Sequence, residues 1–113
     1  MIRASFDKEE GKFLSLCIEG HAGQAEKGKD IVCSAASILA YTLAQTITQM
    51  DKQGWLKKKP HINLKDGKGL ITCFPKKEYF NECLMAFFVA EVGYSLLTKN
   101  YPQYVEIKLF GEA

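Results

Sequence analysis

The sequence lacks the features that would assign it to an unusual class of protein. Its 113 residues contain no internal repeat and no low-complexity tract, and the formal net charge is only +2. Apolar residues make up 47% and charged residues 25%, as in ordinary globular domains, so collagen-like, coiled-coil and disordered classes are excluded. Because a chain of this length has room for one hydrophobic core, we predict a single domain over residues 1–113.

The sequence also gives no indication of a nucleic acid or a membrane as partner. Lysines are spread along the chain, and the short run at residues 57–59 is expected to be a solvated turn, so we predict no direct binding of nucleic acid. No stretch reaches the ~20 uninterrupted apolar residues of a membrane span. The first residues lack the charged-then-apolar pattern of a secretory signal, and we therefore expect a cytoplasmic protein without membrane contact.

Four cysteines are present, but they form no CxxC pair. Without a secretory signal they are expected to be free thiols. Cys17, Cys73 and Cys83 lie in apolar stretches, where a free cysteine usually behaves as a small hydrophobic residue. Cys33 differs because it follows a glycine-rich stretch and begins a helical pattern.

Hydrophobic periodicity predicts the secondary structure. Alternating apolar residues predict strands at residues 2–6 and 13–18, and apolar residues at three- and four-residue spacing predict helices at 31 to about 50 and 77 to about 99. The segments HINL and LITCF flank a turn, KDGKG, and YVEIKLF predicts a final strand. The order β-β-α-β-β-α-β predicts an α+β domain with a largely antiparallel sheet packed with two helices. Gly93 inside the second helix suggests close packing against another element.

Residues 20–37, GHAGQAEKGKDIVCSAAS, precede and begin the first helix and are open to three interpretations. The spacing of Gly23, Gly28 and Lys29 approaches that of a phosphate-binding P-loop. Asp30, however, stands where a hydroxyl would bind magnesium, and hairpins surround the stretch instead of the parallel unit that such a loop serves. A nucleotide site is therefore not favoured.

A metal site would have to use Cys33 and His21 as ligands. Their spacing matches no common zinc pattern, and Cys73 and His61 would join them only if folding happened to bring all four together. We therefore predict no metal and no cofactor.

The same residues suit a nucleophilic thiol and its base. Asp30 is a favoured N-cap residue, which places Cys33 in the first helical turn beside unpaired backbone N–H groups that stabilise a thiolate. His21 follows the second strand, and its imidazole could face the helix start as the general base. The residues alone leave open the alternative of a buried cysteine and an unrelated surface histidine.

The amino-acid sequences of two short blocks in this stretch are more specific than the chemistry of single residues. The blocks GHAG and DIVC, with Gly28 between them and Ser37 one turn after Cys33, resemble the bacterial ribosomal-processing cysteine protease family known as Prp. The resemblance extends over the whole chain and departs from the common pattern at Ser34, where family members usually have alanine.

This resemblance implies a cysteine endopeptidase that removes the N-terminal extension of large-subunit ribosomal protein twenty-seven. Cys33 corresponds to the nucleophile and His21 to the base, while Asp30 and Ser37 are supporting residues, either of which could orient His21. The resemblance also suggests a homodimer.

The glycines of the stretch, Gly20, Gly23 and Gly28, give its backbone the freedom to fold over a peptide substrate. The alternative function is a noncatalytic, ribosome-associated module whose glycine loop binds a peptide or RNA.

Overall fold

The computed structural model describes residues 1–23 and 30–112, and in these residues five strands and two long helices follow one another in the predicted order. The elements are β1 (Ile2–Glu9), β2 (Phe13–Glu19), α1 (Ile31–Lys52), β3 (His61–Lys65), β4 (Lys68–Cys73), α2 (Phe80–Asn100) and β5 (Val105–Lys108). A single 3-10 turn, Lys77–Tyr79, leads into α2. The predicted α+β class is confirmed.

The strands form one sheet in the order β3-β4-β2-β1-β5. Strands β1 and β2 form a hairpin whose turn contains Gly11 with a φ of 82°, and β3 and β4 form a second hairpin. Strand β4 pairs antiparallel with β2, whereas β5 pairs parallel with β1. The sheet is therefore largely antiparallel, as predicted, with one parallel pair at its edge.

Both helices pack on the same face of the sheet and form a second layer. The strands alternate buried and more exposed side chains, as a sheet covered on one side requires. The largest fully buried side chains come from both layers: Phe6, Leu14, Leu16, Val32, Ile47, Ile71, Phe87, Tyr94 and Val105. This two-layer arrangement fixes the start of α1 beside one end of the sheet.

Several boundaries differ from the prediction by a few residues, and two of these differences have a clear physical reason. Strand β4 begins at Lys68, earlier than LITCF suggests, because the turn between β3 and β4 is tight and pairing continues to Lys65 opposite Lys68. Strand β5 ends at Lys108 because the chain then turns: the N–H of Phe110 donates to Glu91 on α2 at 2.8 Å. The Phe110 ring packs edge-on against Phe6 with a centroid distance of 5.4 Å.

The two helices approach each other closely at Gly93. A Cβ at this position would lie 2.6 Å from a methyl carbon of Leu39 on α1, so the predicted close packing at Gly93 is confirmed. The neighbouring Tyr94 is fully buried, and its hydroxyl donates to the carbonyl of Ala36 at 2.7 Å. This hydrogen bond ties the middle of α2 to the first turns of α1, near the candidate site.

By length and composition alone, Ile31–Lys52 and Lys77–Asn100 could each cross a membrane. Core helices of water-soluble proteins pass the same test. Here one side of each helix is buried against the sheet or the other helix.

We expect Tyr94→Phe to lower the free energy of unfolding by about 1 kcal/mol, because it removes a buried hydrogen bond while keeping the ring. Urea denaturation followed by circular dichroism measures the change. Tyr41→Phe, at an exposed position of α1, is the matched control and should unfold at the wild-type urea concentration. Equal midpoints for Tyr94→Phe and the wild type would contradict a stabilising role for this hydroxyl.

Candidate active site

The first turn of α1 is organised by Asp30. Its backbone is extended, with φ −81° and ψ 107°, and its side chain accepts a hydrogen bond from the N–H of Cys33 at 2.9 Å. The carbonyl of Asp30 accepts from both the N–H and the hydroxyl of Ser34, each at 3.0 Å. Asp30 is buried, and the prediction that it caps the helix is confirmed.

The sulfur of Cys33 receives a hydrogen bond from outside its own helix. The N–H of Ala22 donates to Cys33 Sγ at 3.3 Å, from a buried position directly after His21. This contact holds the sulfur against the backbone that follows His21. The GHAG block and the DIVC block are therefore in direct contact in the folded chain.

The end of β2 is held by the turn between β3 and β4. The N–H of Gly20 donates to the carbonyl of Gly67 at 2.8 Å, and the amino group of Met1 bonds to the carbonyl of His21. Gly20 has a φ of 91°, and a Cβ there would overlap the carbonyl oxygen of Met1 at 2.2 Å. The backbone on both sides of His21 is therefore fixed.

The imidazole of His21 lies against the same turn. A Cβ on Gly67 would lie 2.7 Å from His21 Nε2, and His21 Nδ1 lies 3.9 Å from a carboxylate oxygen of Asp66. Both side chains are more than half exposed, at 57% for His21 and 61% for Asp66. Water around both side chains screens the attraction between them in the free protein.

Cys33 and His21 open into one groove with a volume of about 270 Å³. Cys33, Ser37 and Tyr41 follow one another along α1 and line one wall, while Ile2, Ile18 and Leu64 contribute apolar surface from the sheet. The opposite wall is the β3–β4 turn, residues 65–68. The groove is thus lined by apolar side chains of the sheet and by polar residues of the turn, a combination that suits an extended peptide segment.

The other thiols have different surroundings. Burial, followed by the charge of Glu19, raises the pKa of Cys17. A hydrogen bond with Cys83 and burial raise the pKa of Cys73, and both of these cysteines are fully buried. None of the three lines the groove, and no disulfide links any of the four cysteines.

The structure brings together most of the predicted site residues. Ser37 lines the groove one turn after Cys33, and among residues 1–23 and 30–112 its hydroxyl has no hydrogen-bond partner. Gly23 has a φ of 72°, whereas Gly28 lies outside the described residues. The orientation of His21 by Asp30 or by Ser37 remains a prediction.

The sequence reasoning missed the contribution of Asp66 and Gly67. It identified them only as the turn of a hairpin, within KDGKG. Their position beside His21 follows from the pairing of β2 with β4, in which Glu19 lies opposite Lys68. A period-two pattern predicts strands but not which strands become neighbours, so no local signal indicates this contact.

The basic run at residues 57–59 is held by local contacts. The ammonium of Lys57 donates to the carbonyl of Gly11 at 2.8 Å, and that of Lys59 bonds to Asp51 at 2.9 Å. The ammonium of Lys58 lies over the ring of Phe74, 4.2 Å from its centroid. Each lysine thus has a partner in the fold, and the absence of direct nucleic-acid binding stays a prediction.

Comparison with known proteins identifies the class of this site. The model of the family described as cysteine protease Prp matches residues 1–106. The chain belongs to this family. It is therefore an enzyme, a cysteine protease, and the noncatalytic alternative is not supported. No curated protein sequence matches the chain.

Solved structures show the same fold. A Prp from S. aureus, described as an essential ribosomal processing protease with a covalently linked product peptide, has a TM-score of 0.71 at 23% identity and covers 97% of this chain and 99% of its own. The same S. aureus protease with a substrate peptide has a TM-score of 0.67 at 20% identity, with coverage of 97% and 99%. SMU.848 from Streptococcus mutans has a TM-score of 0.67 at 27% identity and coverage of 97% and 94%.

We expect Gly20→Ala to destabilise this Prp by more than about 3 kcal/mol, because it combines a positive φ with overlap against the Met1 carbonyl. Gly11→Ala is the matched control: Gly11 has a φ of 82° but nothing within 4 Å of an added Cβ. The control should lose only about 1 kcal/mol. Thermal or urea denaturation of both variants measures the difference, and equal losses would show that the contact of Gly20 with Met1 is unimportant.

Proposed function

We propose that the protein is a cytoplasmic endopeptidase that removes the N-terminal extension of large-subunit ribosomal protein twenty-seven, with Cys33 as nucleophile and His21 as base. The observation that carries the proposal is the hydrogen bond from the Ala22 N–H to Cys33 Sγ, at the mouth of a groove that His21 also lines. The ribosomal substrate is supported by membership of the Prp family and by the description of the S. aureus protein as a ribosomal processing protease.

In this mechanism the Cys33 thiolate attacks the scissile carbonyl carbon and forms a C–S bond. The C–N bond of the peptide then breaks, and His21 gives its proton to the leaving amine. Water, deprotonated by His21, hydrolyses the thioester and restores the thiol. His21 therefore has to exchange protons both with Cys33 and with groups in the groove, which its exposed position permits.

The oxyanion that forms on attack needs hydrogen-bond donors. The N–H of Cys33 already donates to the Asp30 carboxylate, so it would have to break this bond before it could donate to the oxyanion. The N–H of Ala22 lies beside the sulfur and thus close to any carbonyl that becomes attached to it. We assign Ala22 as a donor that moves from the sulfur to the oxyanion, since negative charge moves in that direction during attack.

The groove favours a substrate with apolar side chains next to the cut. Its floor is formed by side chains of the sheet, and its wall on α1 extends from Cys33 through Ser37 to Tyr41. The eight helical steps from Cys33 to Tyr41 cover ~12 Å, which matches three or four residues of extended peptide. A groove of this length can contact the side chains of the residues on either side of the cleaved peptide bond.

We expect Cys33→Ser and His21→Ala each to abolish cleavage of the extended ribosomal protein while leaving the fold intact. The loss follows because each variant removes a group that forms or breaks a bond in the reaction. Mass spectrometry of the incubated precursor measures activity and locates the cut. Circular dichroism and the urea midpoint check folding.

Cys17→Ser is the matched control, since Cys17 lies on β2 outside the groove, and it should cleave at the wild-type rate. Full cleavage by Cys33→Ser or by His21→Ala would overturn the assignment of these residues. Cleavage of other peptides but not of the ribosomal precursor would retain the catalytic pair and overturn the substrate.

The outer surface of α2 supports the predicted homodimer. Met85, Phe88, Val89, Val92 and Leu96 recur at three- and four-residue spacing and are between 44% and 63% exposed. A monomer rarely leaves so continuous an apolar strip in water. A second copy related by a two-fold axis would present the same strip and cover it.

We expect Val89→Glu to convert the dimer to a monomer, because it places a charge in the middle of this strip. Sedimentation velocity over a range of protein concentrations measures the mass. Gln45→Glu, at an exposed position of α1, adds the same charge and should remain dimeric. A wild-type protein that stays monomeric at high concentration would contradict the proposed interface.

A further inference from the structure

We propose that Asp66 positions His21 and stabilises its protonated form during the reaction. The inference rests on the proposed function, because it assumes that His21 is the base for Cys33. It adds a third residue, from a different hairpin, to a pair that the sequence places on either side of one loop.

The first observation is the direction of the imidazole ring. Nδ1 of His21 lies 3.9 Å from Oδ1 of Asp66. A carboxylate on this side attracts the positive charge that the ring carries when it holds its extra proton. Nε2 lies against Gly67 of the same turn, so both nitrogens are held by the β3–β4 hairpin. A distance of 3.9 Å is longer than a hydrogen bond, so in the free enzyme the effect is electrostatic.

The second observation is that the turn is fixed relative to His21. The Gly20 N–H bonds to the Gly67 carbonyl, and β2 pairs with β4 up to Glu19 opposite Lys68. Gly67 has a φ of 77° and leaves no room for a side chain beside Nε2. Asp66 is thus carried on a backbone that is connected to the residue preceding His21, so the backbones of the two residues keep a fixed spacing.

The third observation concerns the other charges around His21. Lys65 and Lys68 flank Asp66 in the turn and line the same groove, and the amino group of Met1 bonds to the His21 carbonyl. These cations oppose protonation of the ring. Glu19 at the end of β2, Asp30 at the start of α1 and a Cys33 thiolate are the opposing negative groups, and the Asp30 carboxylate is bonded to the N–H of Cys33. Within residues 1–23 and 30–112, Asp66 is the acidic side chain whose carboxylate lies within 4 Å of an imidazole nitrogen of His21.

A bound peptide would strengthen the interaction. The groove lies between α1 and the turn, so a substrate that fills it displaces water from around His21 and Asp66. Removing water lowers the effective dielectric constant, and the attraction between the carboxylate and the imidazolium increases. The largest effect is therefore expected in the step at which His21 carries its extra proton.

An alternative role for Asp66 is turn formation alone. Only Gly67 has a positive φ in this turn, and both Asp and Asn are common turn residues at the position before it. Asp66→Asn therefore keeps the turn chemistry and removes only the charge, which makes it a sharper test than Asp66→Ala. Asp7→Asn, on β1 and outside the groove, is the control for loss of one exposed negative charge.

The experiment measures kcat and KM of Asp66→Asn across pH with a peptide from the precursor, alongside the rate at which iodoacetamide modifies Cys33. We expect kcat to fall about three- to tenfold, with little change in KM. Without the carboxylate the imidazolium is less stable, so the alkaline limb of the kcat profile should move to lower pH. The same loss disfavours the thiolate–imidazolium pair, so iodoacetamide should modify Cys33 more slowly near neutral pH. Asp66→Glu should restore the position of this limb in part.

Wild-type kcat and wild-type pH profiles for Asp66→Asn would overturn this inference, provided that Cys33→Ser and His21→Ala are inactive. A fall in kcat without a shift of the alkaline limb would assign Asp66 to the turn alone and would also overturn it. If Cys33→Ser or His21→Ala retains activity, the proposed function itself fails, which is a different result from either of these.

Discussion

The candidate site depends on the attachment of the end of β2 to the β3–β4 turn. The hydrogen bond from the Gly20 N–H to the Gly67 carbonyl joins segments that are far apart in the sequence and sets the direction in which the chain leaves the sheet. Because His21 and Ala22 come next, the same contact determines where the imidazole lies and where the Ala22 N–H points. The positive φ of Gly20 and the close approach of Met1 leave no space for another residue at this position.

The start of α1 provides the other half of the site and is built differently. Asp30 satisfies the N–H of Cys33 within the helix, whereas the sulfur of Cys33 is bonded from outside by Ala22. The Asp30 carboxylate thus supports the backbone of the helix start, while a different group, the Ala22 N–H, contacts the thiol. This separation allows a buried aspartate to lie beside the thiol of Cys33, because the Asp30 carboxylate is directed to the helix N-terminus, where the macrodipole favours negative charge.

Much of the fold and part of the site could be predicted from the sequence. Strand alternation, helical spacing and the N-cap role of Asp30 are local properties, and the structure confirms them. The likeness of GHAG and DIVC to the Prp family identified the class of enzyme, which the family comparison confirms. The contact between the two blocks joins residues that are distant in the sequence, so it could be predicted only from the resemblance to the family or seen in the structure.

The contribution of the β3–β4 turn could not be predicted, because it depends on the order of the strands. Strand β4 lies between β3 and β2, and only this order brings Asp66 and Gly67 to His21. A sheet in which β4 occupied the edge would have the same alternation of apolar residues and a different environment for the imidazole. Local patterns constrain each strand separately, whereas the register between β2 and β4 is a property of the whole core.

The arrangement of the site also links its chemistry to complete folding. The Ala22 N–H reaches Cys33 only when the end of β2 has been fixed by the second hairpin, and α1 is fixed in part by the buried bond from Tyr94 on α2 to Ala36. Contacts from both hairpins and both helices therefore have to form before the sulfur of Cys33 has its outside donor. In an unfolded chain Cys33 has no such neighbours, so the geometry of the site is a product of the assembled core.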